Sequence, residues 1–326
     1  METRNIPRLN RTASVIGLGC WQLGADWGRV DESDALAVLH AAADSGVTFF
    51  DTADVYGDGR SESLIGRFLR EHPGDITVAT KMGRRVEQVP ENYTAANFAA
   101  WTDRSRRNLG VDTLDLVQLH CPPTPVFHDD AVFDALDALV DKQAIAAYGV
   151  SVETCEQALA AIARPGVATV QIILNCLRLK PLEQVLPAAA EAGVGIIARV
   201  PLASGLLSGR YTAATTFSAD DHRNYNRNGE AFDVGETFSG VPFPVGLQAV
   251  ERLSDAVPEG WSMARFALRW IADQHGVSVV IPGARTPEQA RGNSAVGALP
   301  HLPPSAHTTV RAVYDDLVRP LVHDRW

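Results

Sequence analysis

Short β-rich runs alternate with longer runs of helical period along nearly the whole chain, and this alternation restricts the fold more than any other feature. Parallel strands cannot be joined by a tight turn. Each needs a crossover connection, and a helix is the usual one. Strands are predicted at 16–19, 47–51, 76–81, 114–120, 146–151, 169–174, 195–199 and 279–283. Eight strand–helix units in one unbroken series can close on themselves, which predicts an α/β fold of the (β/α)8 TIM-barrel type. An open, doubly wound sheet of this size would usually show a second domain or a change of composition midway. Residues 1–326 are therefore read as a single barrel domain.

The intervening helices have legible ends. Asp31 stands where it can cap a helix whose apolar positions include Leu36, Leu39 and Ala43, and Gly46 is placed to stop it. Further apolar stripes run through Leu64, Ile65 and Phe68, through Phe98, Trp101 and Leu109, and through Phe133, Leu136 and Leu139. Later helices are predicted at 153–163, 182–192, 261–275 and 286–296, with one more over 305–322. The pair Leu9 and Val15 around a polar turn suits an N-terminal β-hairpin that plugs the barrel's bottom. Residues 211–244 show no regular period and are rich in Gly, Asn, Asp and Arg. Their aromatics, Phe217, Tyr225, Phe232 and Phe238, point to a lid, and the alternative is a surface insertion.

Composition excludes several function classes. A net charge of −10 disfavours a nucleic-acid partner. No apolar run approaches the roughly 20 residues of a membrane span and the N-terminus lacks a signal-peptide core, so the expectation is a cytoplasmic protein acting on small molecules, as a monomer or homo-oligomer. The four cysteines and nine histidines fall in no ligand spacing, so no metal is predicted. In GLGCWQLG (17–24), Gln22 occupies the third glycine position of a dinucleotide-fold fingerprint, which argues against that fold.

Active sites of such barrels lie at the carboxyl ends of the strands. Three otherwise apolar strands end in Asp51, Lys81 and His120, and Tyr56 follows Asp51 closely. A tyrosine of ordinary pKa near 10 transfers a proton poorly at neutral pH unless a cation stabilises its phenolate. Lys81 can supply that charge, Asp51 can keep the lysine protonated, and His120 can orient a substrate oxygen. This is a general acid with no nucleophile beside it, which suits carbonyl reduction by an external hydride donor. Gly19, Cys20 and Trp21 form the first strand's rim, with Trp21 a wall of the substrate pocket beside Tyr56 and His120.

The segments FFDTADVYGDGRSESLIG, VATK, LDLVQLH, GVS, VQIILN, PLASGLLSGR and IPGARTPEQARGN, in this order and spacing, resemble the aldo-keto reductase superfamily, in its bacterial-type branch with the IPGxRxxxQxxxN motif. The resemblance implies a tetrad of Asp51, Tyr56, Lys81 and His120, with the tyrosine as proton donor to an aldehyde or ketone. It implies that Ser151 and Gln171 meet the nicotinamide carboxamide, and that 201–210 crosses the cofactor pyrophosphate through Pro201, Leu202, Ser204, Gly205, Leu206, Gly209 and Arg210. An ordinary strand-to-helix turn is the alternative for that segment. Gly283, Arg285, Gln289 and Asn293 then surround the adenosine phosphate, and Arg285 favours NADP(H) while NAD(H) remains possible.

Several positions depart from the family pattern. Val152 stands where many relatives have asparagine, Gly283 and Gln289 replace a lysine and an arginine of some branches, and Arg199 replaces a stacking aromatic. Over the ring, the Arg199 guanidinium would disfavour the oxidised nicotinamide; the alternative is an arginine paired with an acidic neighbour. The resemblance leaves two other functions open. One is NAD(P)-dependent sugar or polyol oxidation, and the other is a cofactor-binding regulatory role like that of potassium-channel β subunits.

Overall fold

The computed structural model describes residues 1–24, 30–72 and 74–326. A hairpin of β1 (Thr3–Ile6) and β2 (Arg11–Ser14) precedes eight parallel strands: β3 (Leu18–Gly19), β4 (Phe49–Asp51), β5 (Thr77–Met82), β6 (Leu116–His120), β7 (Tyr148–Ser151), β8 (Val167–Ile173), β9 (Gly195–Arg199) and β10 (Val277–Val280). Each of the eight pairs with its sequence neighbour. Parallel bridges Ile16 to Val280 and Gly19 to Gly283 join the first strand to the last, so the ladder closes into the expected barrel.

The helices are α1 (Glu32–Asp44), α2 (Arg60–Glu71), α3 (Ala95–Leu109), α4 (Asp130–Asp141), α5 (Cys155–Ile162), α6 (Val185–Ala192), α7 (His222–Tyr225), α8 (Phe243–Leu253), α9 (Met263–Ala272), α10 (Pro287–Ser294), α11 (Pro304–Val313) and α12 (Arg319–Val322). Side-chain caps explain many starts: Thr94, Asp129, Ser262 and Thr286 each accept from a backbone amide of the first turn, and Thr154 with Gln157 forms a reciprocal capping box. Asn10, in the left-handed region at φ 52°, closes the turn of the hairpin. Ile6, Leu9 and Ala13 of the hairpin pack against Phe49, Ala79, Leu116, Ile197 and Val279, which plugs the bottom of the barrel as predicted.

Three expectations need correction. The helix predicted over 305–322 is α11 followed by a π-helical turn, Tyr314–Val318, and then α12. Helix α8 was not anticipated, because prolines and a glycine in its first turn obscure its period. Residues 211–244 are not structureless. They form α7 and two 3-10 turns, Val234–Glu236 and Phe238–Gly240, and bury His222, Asn226, Thr237 and Phe238. Trp326 inserts beside Gly235 and Gly240; its indole N–H donates to Asp233 and Arg178 stacks on its face at 3.6 Å.

The turn after β4 carries a buried carboxyl, Asp54. Burial raises its pKa to about 7, the charge of Glu62 adds to the effect, and Arg85 and Arg104 offset it in part. An unfolded aspartate titrates near 3.9, so the native state holds this proton more tightly. The stability from Asp54 is complete below the unfolded value and is lost as pH rises through about 7. Urea midpoints at about pH 4 and about pH 8 check this: Asp54→Asn is expected to gain on the natural chain at the higher pH, and a pH-independent difference would contradict the shift.

Candidate active site

The site follows from the two-residue period of the strands. Phe49, Ala79, Leu116 and Ile197 fill the barrel's lower layer, and the residues two positions on, Asp51, Lys81, Gln118 and Arg199, reach toward its carboxyl rim. Apolar residues therefore support a polar layer. The ladder registers Lys81 beside Gln118, His120 beside Ser151 and Ser151 beside Gln171.

Lys81, 1% exposed, donates from Nζ to Asp51 Oδ1 at 2.5 Å and to Thr52 O at 2.8 Å, and lies 3.4 Å from Tyr56 Oη. Burial alone would strip its proton, but Asp51 and then Tyr56 more than compensate, so its pKa is raised. The other Asp51 oxygen, Oδ2, accepts from Gln171 Nε2 at 2.7 Å and from Gln118 Nε2 at 3.2 Å. Tyr56 is brought in by the turn 53–59, where Gly57 has φ 58° and a Cβ would lie 2.2 Å from Gly24 O. Arg85 and Arg104 both bind Asp58 in this turn.

The direction of the Tyr56 shift corrects the prediction of a net acidified phenol. Burial raises the pKa, Lys81 pulls it down, and Asp51 and Glu236 push it up again, leaving it above the ordinary tyrosine value. The phenol is thus held neutral with a cation at hand. His120, whose ring meets Tyr56 edge-on at 5.9 Å, is held neutral too, by burial and by the charges of Arg84, Lys81 and Arg199.

Arg199 is not a lone cation. Nη2 binds Glu153 Oε2 at 2.9 Å and Val152 O at 3.0 Å, and Nη1 binds Glu236 from the 211–244 segment. Two carboxylates against one guanidinium remove the positive charge from which discrimination against an oxidised nicotinamide was expected.

A cavity of about 630 Å³ opens from this layer. One end is walled by Trp21, Tyr56, Arg84, His120, His222 and Phe232, with Trp21 5.5 Å from His222 and 6.4 Å from Phe232. It extends along Gly19, Cys20, Asp51, Ser151, Gln171 and Arg199, past Pro201, Leu202, Ser204, Gly205 and Arg210, to Gly283, Arg285, Gln289 and Asn293. Lys81 is sealed behind Tyr56. Leu206 and Gly209 do not line the cavity: Leu206 is buried against Gly246, and Gly209 turns the chain against Met263.

Other predicted contacts are engaged within the protein. The Ser204 hydroxyl donates to Glu236 O at 2.8 Å and accepts from Phe238 N, fastening the 211–244 segment to the 201–210 loop. Gln289 Oε1 accepts from Arg285 N at 2.8 Å and Asn293 Nδ2 donates to Gly283 O, which shapes the start of α10. Sequence reasoning missed Gln118, Arg84, Glu153, Glu236 and Gln22. Gln118 had a signal, a polar residue two positions before His120 on the same strand face. Gln22, whose buried Oε1 meets no hydrogen-bond partner among the described residues, abuts Gly283 across the groove.

Residues 15–315 match the aldo/keto reductase family. The aldo-keto reductase YhdN of Bacillus subtilis is 31% identical over 303 residues, covering 91% of this chain and 88% of that protein. A probable voltage-gated potassium channel subunit beta of Arabidopsis thaliana is 26% identical, covering 93% and 94%. Among solved structures, the glycerol dehydrogenase AKR11B4 from Gluconobacter oxydans is 32% identical and superposes with a TM-score of 0.78, covering 98% of this chain and 96% of that one. The closed barrel, its hairpin plug and these matches together make the chain a member of the aldo/keto reductase family of oxidoreductases.

Proposed function

We propose that the protein reduces an aldehyde or ketone to the alcohol with NADP(H), Tyr56 acting as general acid. The observation that carries this reading is the buried contact of Lys81 with Asp51 and Tyr56 at the wall of a long cavity. The cavity fits a dinucleotide: it runs from the buried polar layer along Gly19 and Gly205 to Gly283, Gln22 Oε1 meets no hydrogen-bond partner among the described residues, and Arg210 and Arg285 offer charge for phosphate. When bound, the cofactor supplies the hydride for the carbonyl carbon.

The protein's own residues govern the proton. Tyr56, neutral at rest, gives its hydroxyl proton to the carbonyl oxygen as negative charge develops there. Lys81 holds the resulting phenolate until it is reprotonated from solvent, and Asp51 keeps Lys81 charged through the cycle. Neutral His120 orients the carbonyl oxygen between itself and Tyr56. The aromatic wall of Trp21 and Phe232 excludes water on the substrate side. An intact tetrad supports catalysis over a purely regulatory role. The same groups serve alcohol oxidation in reverse, and the name of the Gluconobacter neighbour, glycerol dehydrogenase, supports that direction as a second reading.

Tyr56→Phe is expected to bind NADPH with unchanged affinity and to lose about 10²- to 10⁴-fold in kcat with a simple aldehyde. Fluorescence titration and steady-state rates check this, and retained turnover would remove the tyrosine from its role. Arg285→Ala is expected to weaken NADPH roughly 10- to 100-fold with little effect on NADH. Equal losses for both cofactors would take Arg285 away from a 2′-phosphate.

A further inference from the structure

The strand that carries Lys81 continues through Met82 to Gly83, whose φ of 112° turns the chain at the barrel rim and brings Arg84 to the cavity wall beside Tyr56 and His120. Arg84 Nε donates to the His120 backbone oxygen at 3.3 Å, which ties this guanidinium to the residue that flanks the reacting carbonyl. Its remaining donors are poorly used. Nη2 stands 3.5 Å from Glu153 Oε1, beyond the range of a good hydrogen bond, and Nη1 makes no hydrogen bond to any described residue.

Arg199 differs in every respect. Its terminal nitrogens are committed to Glu153, Glu236 and Val152 O, and it is 6% exposed. Glu153 therefore keeps a close cation when Arg84 turns toward a ligand. The acids on the cavity wall are also already matched, Asp51 by Lys81 and Glu236 by Arg199. Lys81 and Arg199 are each held by a close carboxylate, whereas the nearest acid to Arg84 is Glu153 at 3.5 Å, itself bound to Arg199. The rings of Trp21 and Phe232 line the same cavity as Arg84. Such a pocket offers the loosely held terminal N–H donors of Arg84 together with an apolar aromatic surface.

We propose that Arg84 is the specificity residue for substrates in which a carboxylate or phosphate is joined to the carbonyl by a short carbon chain. The inference rests on the carbonyl-reducing reading above and adds the class of substrate. The anion takes the spare guanidinium donors while the carbonyl oxygen meets Tyr56 and His120.

The test compares matched pairs with NADPH: succinate semialdehyde against butanal, and glyceraldehyde 3-phosphate against glyceraldehyde. In the natural protein the charged member of at least one pair is expected to have a kcat/KM roughly 10- to 100-fold higher, expressed mainly in KM. The pair with the larger ratio identifies carboxylate or phosphate. Arg84→Gln should bring that ratio toward one, and Arg84→Lys, which keeps a charge without the fork, should retain part of it. Ratios near one in the natural protein, or a ratio that persists in Arg84→Gln, would overturn the assignment while turnover of butanal or glyceraldehyde leaves the carbonyl reading standing. Failure to reduce any of the four compounds would overturn both.

Discussion

A charged lysine in the interior of a barrel survives only because a carboxylate meets it, and the rest of the site is built around that pair. Lys81 and Asp51 are 1% and 3% exposed, and removing either would leave an uncompensated charge at a cost of about 3–5 kcal/mol. The pair is itself held. Thr52 O takes a second lysine proton, and the amides of Gln118 and Gln171 fill the far oxygen of Asp51. Four strands thereby contribute to one ammonium, and the proposed proton chemistry of Tyr56 depends on its position.

A second ion cluster links the rim to the segment above it. Arg199 at the end of β9 binds Glu153, which follows β7, and Glu236, which belongs to the 211–244 segment. Ser204, Asn175 and Trp326 add further ties to the same stretch through Glu236 O, Ser239 and Asp233. Four residues, Arg199, Asn175, Ser204 and Trp326, from the barrel rim, the 201–210 loop and the far end of the chain, thus fix where the 211–244 segment lies. Its side chains His222, Arg223, Phe232 and Glu236 reach the cavity, so the placement of that segment shapes the volume open to a substrate.

The barrel was legible because strand and helix periods are local signals, and each of the eight strands falls within or beside its predicted range. The tetrad was legible for a related reason: a polar residue at the end of an apolar strand violates the local pattern, and Asp51, Lys81 and His120 do so on successive strands. What escaped depends on contacts distant in sequence. For Arg199, pairing with an acid stood only as the alternative to a guanidinium over the ring, and its partners could not be named because they stand 46 and 37 residues away. The phenol of Tyr56 looked acidified because its burial, which outweighs the lysine, has no signature in the residues around it. The reading of Ser204 concerned its backbone N–H, and the tie made by its hydroxyl went unread because it reaches a segment that has no period of its own.

The central claim is that a neutral phenol sits under the influence of one buried ammonium. Its most direct test is the titration of Tyr56, followed by the ¹³C resonance of labelled tyrosine in the natural protein and in Lys81→Met. The account predicts a pKa above the ordinary tyrosine value in the natural protein, and a further rise when the ammonium is removed. A phenol that titrates below the ordinary value, or one that does not respond to the loss of Lys81, would contradict it.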